Sequence, residues 1–303
     1  MEVEPETCDM IAPLIQAIRL KTLPLAAGAM LMGATVAKSE NAFDISILIL
    51  SLSTAFLLQI LSNLANDYGD YVNGIDGKDR TDRALSGGMI SMRRMKIYLI
   101  INVVLVLISG IGLLMMAQNK SDISFWPMFV LGLFCILGAI FYTMGKKPYG
   151  YYALGDLSVL IFFGPVAVAG SVYLYTGTIS SLVTVPSLVS GFVSAGVLNV
   201  NNIRDIDTDK AAGKRSLAML LGDKNARRYH YALLLSAWGL WIGFNFNYAA
   251  LAGILQSILG LLIILHLNGM YKAQIGNRKS FNDQLRNLSL TFLLASLLGF
   301  IFI

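Results

Sequence analysis

Long apolar runs separated by short polar clusters organise this chain. A membrane-spanning helix needs about 20 mostly apolar residues, and nine runs meet that length: 13–37, 44–65, 96–117, 124–144, 154–175, 183–203, 229–247, 249–268 and 284–303. The pattern predicts an all-α protein, a nine-transmembrane-helix bundle built as a single domain over 1–303. The seventh and eighth runs meet so tightly near Asn247 that one continuous bent segment is an alternative. Pro24, Pro165 and Pro186 fall inside runs or at their ends, where a bundle absorbs a kink. Gly28, Gly33, Gly132 and Gly138 read as places of close helix contact.

Composition agrees. Of 303 residues, 56% are hydrophobic and 14% charged, against about 25% charged in a soluble domain. Cys8 and Cys135 have no metal-ligand spacing, and His230 and His266 lie far apart in sequence, which argues against a disulfide framework and against zinc or haem. The amino terminus is acidic and contains Pro5, so it does not read as a cleaved signal peptide. Basic residues are biased: 19 of the 23 Lys and Arg fall in the loops after runs two, four, six and eight. The positive-inside rule puts those loops and the amino terminus in the cytoplasm, with the carboxyl terminus outside. This bias accounts for the net charge of +5 without a nucleic-acid partner.

Two polar clusters stand out. The first, at the end of run two, contains Asn63, Asn66, Asp67, Asp70, Asp76, Asp79, Asp82 and Arg83. Residues four apart share a helix face, so Asn66 stacks with Asp70 and Asn63 with Asp67. Gly74 and Gly77 should then break the helix and let Asp76 and Asp79 fold back. The second cluster ends run six, where Asn201, Asp205 and Asp209 would form one polar stripe among Asn202, Arg204, Lys214 and Arg215. Both clusters carry Asn-x-x-x-Asp on the same predicted side, which suggests an internal pseudo-repeat.

Carboxylates beside hydrocarbon cost about 2.5–3.5 kcal/mol each and are usually functional. A hard cation relieves both the burial cost and the mutual repulsion. Mg²⁺ typically takes one or two carboxylates plus phosphate oxygens and water. Two facing clusters around a central cavity would therefore clamp a diphosphate, with nearby Arg and Lys completing neutralisation. The metal set reads as Asn66, Asp67, Asp70, Asp76, Asn201, Asp205 and Asp209. The simpler reading of one cluster alone is a solvated acidic loop, but matched spacing in two clusters argues against it.

Neutralising an allylic diphosphate lets it ionise, and aromatic faces stabilise the resulting cation. Tyr68, Tyr71, Tyr142, Tyr149, Tyr151 and Tyr152 lie near the cytoplasmic ends, where interfacial anchoring is the plainer role for each. The prenyl tail would lie between helices, open to lipid. A third segment ends run four, where Lys146 follows Tyr142 by four residues and aligns with it if the helix persists. A positive-inside anchor is the competing role for Lys146.

These residues resemble the UbiA superfamily of membrane prenyltransferases over nearly the whole chain. Asn66 and Asp70 match its first motif, Asp205 and Asp209 its second, and Tyr142 and Lys146 its Tyr-x-x-x-Lys motif. Where the general pattern continues to an aspartate, this chain has Gly74, and the next carboxylate is Asp76. That variant, with Arg19-Leu-Lys21-Thr-Leu-Pro24 and Ser86-Gly-Gly-Met-Ile-Ser91, is similar to the MenA branch, the 1,4-dihydroxy-2-naphthoate polyprenyltransferases. The resemblance implies Mg²⁺-dependent transfer from polyprenyl diphosphate to that acceptor. CO₂ and diphosphate would be released and demethylmenaquinol formed. Asp76 or Asp79 would serve as base. Asn63, Asn66, Arg83, Lys146, Tyr149, Arg204, Lys214 and Arg215 would handle diphosphate or acceptor, with Arg83, Lys146 or Arg215 on the acceptor carboxylate or the diphosphate.

Three rivals remain at this level. One is a sister prenyltransferase acting on 4-hydroxybenzoate or haem. Another is a protein that only holds prenyl diphosphate. The third is a cation transporter, whose acidic residues would be expected near the bilayer midplane rather than at one surface.

Overall fold

The computed structural model describes residues 11–76 and 83–303. The described residues are helical, with no strand and a single isolated bridge between Tyr152 and Arg215. In chain order the helices are α1 (Ile11–Ile18), α2 (Leu23–Ser39), α3 (Ile45–Val72), α4 (Met92–Gln118) and α5 (Phe125–Phe141). There follow α6 (Gly155–Thr176), α7 (Thr184–Arg204), α8 (Ile206–Ala211), α9 (Leu217–Tyr248), α10 (Ala250–Lys272) and α11 (Arg278–Phe302).

Local chemistry sets several starts. Asp44 accepts from the amides of Ser46 and Ile47 at 2.8 and 3.2 Å, opening α3. Ser91, Ser216 and Asn277 accept from the amides of Arg94, Met219 and Ser280, opening α4, α9 and α11. Each cap satisfies an amide that the first helical turn leaves without a partner. Helix α6 is bent. Pro165 has no amide to donate, Gly164 departs from helical geometry (φ −88, ψ −106), and a π-helical stretch covers Phe162–Ala169. The Ser190 hydroxyl of α7 donates to the Phe163 carbonyl at 2.6 Å. Gly164 also lies against Gly191, where added side-chain carbons would not fit.

Helix α2 is the axis of the bundle. Leu25 through Ala37 are buried without a break, and α2 packs on α3, α7 and α11. Trp241, Phe281 and Phe292 fill the other half of the core, where α9 and α11 meet. Large apolar side chains such as Ile100, Ile108, Phe134, Leu261 and Leu265 face outward, as surfaces that meet lipid do.

Among the described residues, seven helices are long and apolar enough to cross a membrane, two fewer than the runs suggest. Phe125–Phe141 is apolar but has only 17 residues, because it ends before Tyr142 instead of reaching 144. The seventh run is part of a longer helical stretch, Leu217–Tyr248, which is kinked at Gly222 (φ 72, ψ 161) and whose apolar character is diluted by Asp223, Lys224, Arg227, Arg228, Asn245 and Asn247. The seventh and eighth runs are not one bent segment: Ala249 is extended (φ −151, ψ 125) and separates α9 from α10. The first run is broken at Arg19, whose backbone is left-handed.

Candidate functional site

A cavity of about 390 Å³ opens inside the bundle. One end is polar, lined by Asn66, Asp70, Arg83, Asn201, Asp205, Asp209 and Lys214. The rest is apolar, lined by side chains such as Leu113, Met128, Ile136, Phe162, Phe163 and Leu174 from α4, α5 and α6.

Helix α3 runs seven residues beyond the apolar run and carries Asn66 and Asp70 on one continuous helix. It packs closely on the segment after α5. A side-chain carbon at Gly69 would come within 2.5 Å of the Thr143 carbonyl oxygen, and the Thr143 hydroxyl donates to the Ala65 carbonyl at 2.9 Å. Beyond Val72, Gly74 takes positive φ (+70) and the chain folds back, so that the amides of Ile75 and Asp76 donate to the Asp70 carbonyl at 2.9 and 3.3 Å. That turn brings Asp76 near Arg83. The Arg83 guanidinium donates to Asn66 Oδ1 at 3.0 Å and pairs with Asp70 at 3.6 Å and Asp76 at 3.5 Å.

The second cluster is built differently. The stripe Asn201, Asp205, Asp209 spans two helical segments, because α7 ends at Arg204 and α8 begins at Ile206. Asp205 sits at the joint, with φ −102 and ψ 11, and its carbonyl still accepts from the Asp209 amide at 2.8 Å. Its carboxylate is held by Arg204, at 2.6 and 3.2 Å, and by Arg278 at 3.0 Å. Arg204 also donates to Asn282 at 2.6 Å. Asp209 pairs with Lys214 at 3.4 Å, while its Oδ2 is buried with no hydrogen-bond partner. Burial pushes the Asp209 carboxyl up to about 6, against the pull of Lys214. Burial works against the Lys214 ammonium, yet Asp70, Asp209 and Asp205 outweigh it and raise its pKa.

The two clusters are physically joined. The backbone of Arg215 pairs with Tyr151 and Ala153, at 3.1 and 2.7 Å, tying the segment after α5 to the one after α8. This places Lys214 over the Tyr151 ring, 5.5 Å from its centre. The Tyr151 hydroxyl donates to Asp70 Oδ1 at 2.7 Å, and burial first, then the Asp70 charge, raises its pKa. One continuous path, Asp70 to Tyr151 to Lys214 to Asp209, thus bridges α3 and α8.

Other residues singled out in the sequence lie elsewhere. Asn63 lines the cavity, but its amide donates to the Ile18 carbonyl and to Thr22 Oγ1, at 2.8 and 2.9 Å. Asp67 is buried outside the cavity lining and accepts from the Leu85 amide at 3.4 Å, steadying the segment that carries Arg83. Asp79 lies outside the described residues. Tyr142 and Tyr149 line the cavity and meet edge to face with ring centres 5.4 Å apart. Tyr68, Tyr71 and Tyr152 do not line it; Tyr71 and Tyr152 are 40% and 54% exposed. The helix does not persist to Lys146: α5 stops at Phe141, Gly145 has φ +101, and Lys146 is exposed, as is Arg215. Arg19, Tyr151 and Arg278 gain a place at or beside the site that motif spacing did not assign. For Arg19 the available signal was a charge inside an apolar run.

The donor set fits a hard cation. Asp209 Oδ2 is a buried carboxylate oxygen without a partner, and the facing groups are oxygen donors. Among the described residues, no three His, Cys, Asp or Glu side chains converge to hold a metal ion by themselves.

Residues 25–297 match the UbiA prenyltransferase family. A 1,4-dihydroxy-2-naphthoate octaprenyltransferase of Escherichia coli (strain K12) is 43% identical over 225 residues, 74% of this chain and 73% of that one. The enzyme of that name from Haemophilus influenzae is 42% identical over 231 residues, 75% of this chain and 74% of that one. Among solved structures, a UbiA homolog from Archaeoglobus fulgidus bound to DMAPP and Mg²⁺ superposes with a TM-score of 0.62 at 16% identity, covering 96% of this chain and 99% of that one. The family match and the overlap with the bacterial relatives, together with the apolar helices, make this a multi-pass integral membrane protein, and the chain belongs to the UbiA prenyltransferase family.

Proposed function

We propose that the chain transfers a polyprenyl group from polyprenyl diphosphate to 1,4-dihydroxy-2-naphthoate. The reaction releases CO₂ and diphosphate and yields demethylmenaquinol for menaquinone biosynthesis. The observation that carries this reading is the divided cavity, with a linked wall of carboxylates, amides and cations at one end and an apolar body beyond it. A polyprenyl diphosphate has that same division. The relatives from Escherichia coli and Haemophilus influenzae carry the name of this reaction at 43% and 42% identity.

Asn66, Asp70, Asn201, Asp205 and Asp209 are the groups that would hold Mg²⁺, and Asp67 and Asp76 support them from outside the cavity lining. Mg²⁺, when bound, neutralises charge on the leaving diphosphate. Lys214 reaches the same polar end and adds a cation there. Tyr151 and Arg83 hold Asp70 in place, and Arg204 and Arg278 hold Asp205. Tyr142 and Tyr149 present aromatic surface beneath the polar end, where a developing allylic cation is stabilised and water is kept away. The electron-rich naphthalene ring then attacks that carbon.

We read Phe125–Phe141 and Leu217–Tyr248 as two further spans, which makes nine in one domain over 1–303. The Lys and Arg bias supports a cytoplasmic side for the aspartate clusters and the amino terminus, and the bacterial relatives support a bacterial inner membrane. The test is transfer by the purified protein in liposomes with one prenyl diphosphate, Mg²⁺ and a panel of acceptors. Prenylated naphthoquinol is expected, and EDTA should abolish it. Turnover of 4-hydroxybenzoate without turnover of 1,4-dihydroxy-2-naphthoate would overturn the acceptor assignment.

A further inference from the structure

Arg19 has a built environment that the diphosphate clamp does not use. It stands between α1 and the turn Leu20–Thr22 with left-handed backbone, φ 54 and ψ 61, a conformation unfavourable for a residue with a side chain. The turn is held from several sides. The Thr22 amide and hydroxyl both donate to the Arg19 carbonyl, at 2.9 and 3.0 Å. Asn63 on α3 ties Ile18 to Thr22, and Gln59 Nε2, one turn earlier, donates to Thr22 Oγ1 at 3.2 Å. Strain held in place this way often marks a functional position.

The Arg19 side chain lines the cavity, and its Nη2 is buried with no hydrogen-bond partner among the described residues. Buried donors without partners are uncommon and call for an explanation. Gln59 Oε1, on the same cavity wall, also lacks a partner. Arg19 shares this lining with Asp70 and Arg204, so the group faces the active cavity rather than lipid.

We propose that Arg19 binds the carboxylate of the aromatic acceptor, with Gln59 Oε1 accepting a hydrogen bond from the ring hydroxyl beside it. This rests on the acceptor proposed above. Depth along α3 separates this place from the diphosphate. Asn63 and Gln59 precede Asp70 by 7 and 11 residues, which at 1.5 Å per residue puts them about 10 and 16 Å further into the bundle. The phosphates belong at the level of Asp70 and Asp209, so the reacting carbon points inward, and the acceptor ring must lie beside it. The other cavity arginines are engaged: Arg83 with Asn66, Asp70 and Asp76, and Arg204 with Asp205 and Asn282. A planar guanidinium also matches a carboxylate edge to edge.

The test compares binding of two unreactive probes, 1-hydroxy-2-naphthoate and 1-naphthol, to the full-length protein in detergent. Wild type should prefer the carboxylate probe. Arg19→Gln should cut that preference about 10- to 100-fold, the range for a hydrogen bond to a charged group, while affinity for prenyl diphosphate with Mg²⁺ stays within about twofold. Arg19→Lys, which keeps the cation, should recover part of the preference and covers the case in which Arg19→Gln does not fold. An unchanged probe preference in both variants overturns the proposal. So does loss of prenyl diphosphate binding with the preference intact, which would make Arg19 a diphosphate ligand. If wild type prenylates only acceptors other than 1,4-dihydroxy-2-naphthoate, the reading of function has failed instead.

Discussion

The two aspartate clusters share a spacing but not an electrostatic state. On α3, Asp70 lies within an unbroken helix, and its oxygens are already engaged by Tyr151 and Arg83. On the α7–α8 side the helix breaks at Asp205, which two arginines neutralise. Asp209, one turn later, keeps a buried oxygen with no partner. Asp67, also on α3, keeps an open oxygen as well, but outside the cavity lining; of the aspartates that face the cavity, Asp70 is thus prepaired and Asp209 is left open. The open carboxylate has the most to gain from a cation, since a buried charge without full compensation is costly.

Asp209→Asn should give the largest effect. It removes the open carboxylate, and Mg²⁺-dependent turnover is expected to fall at least about a thousand-fold, in keeping with the several kcal/mol that metal-assisted charge stabilisation supplies. Prenyl transfer in liposomes measures this, with circular dichroism to confirm that the variant still folds. Asp70→Asn should lose turnover on a similar scale. Full activity in both would break the idea of a two-sided clamp. Arg83→Ala acts chiefly on stability. It strips the partner from Asp70 and Asp76, whose side chains are 2% and 1% exposed, and breaking such buried pairs costs about 3–5 kcal/mol. Thermal melting in detergent should drop clearly, whereas Asp205, on the other side, keeps one arginine in Arg204→Ala and should lose less.

Smaller effects test the bridge between the clusters. Tyr151→Phe deletes the hydroxyl that donates to Asp70 and should cost about 1–3 kcal/mol, read as a roughly 5- to 150-fold fall in kcat/KM. Lys146→Ala should change turnover less than twofold, because the side chain is exposed and outside the cavity lining. Surface substitutions of that kind usually stay within about 0.5 kcal/mol. A large loss in Lys146→Ala would mean that its segment moves into the cavity when substrate binds.

Much of this layout was legible in the chain. Apolar runs located the helices, because hydrocarbon demands length and apolarity of any segment that crosses it. Spacing by four put Asn66 and Asp70 on one face, and both do line the cavity. The same rule placed Asn63 and Asp67 equally well, yet one holds the Arg19 turn and the other the Arg83 segment. Helical periodicity assigns a face, but it does not say which neighbour covers that face. Tyr142 and Lys146 show the limit again, since alignment by four requires a helix and α5 stops at Phe141.

By itself, then, the sequence determined a helical membrane chain with two matched polar clusters at helix ends. Those features depend on local composition and on spacing within single segments. Only the tertiary structure decided which carboxylates are already paired. It also decided that Tyr151 and Lys214 join the clusters, and that Arg19 enters the cavity with an open donor. Each depends on contacts between residues tens of positions apart: Tyr151 with Asp70, Arg278 with Asp205, Asn63 with Ile18. Charge compensation is a property of distance in space, and distance in space is set by packing rather than by order along the chain.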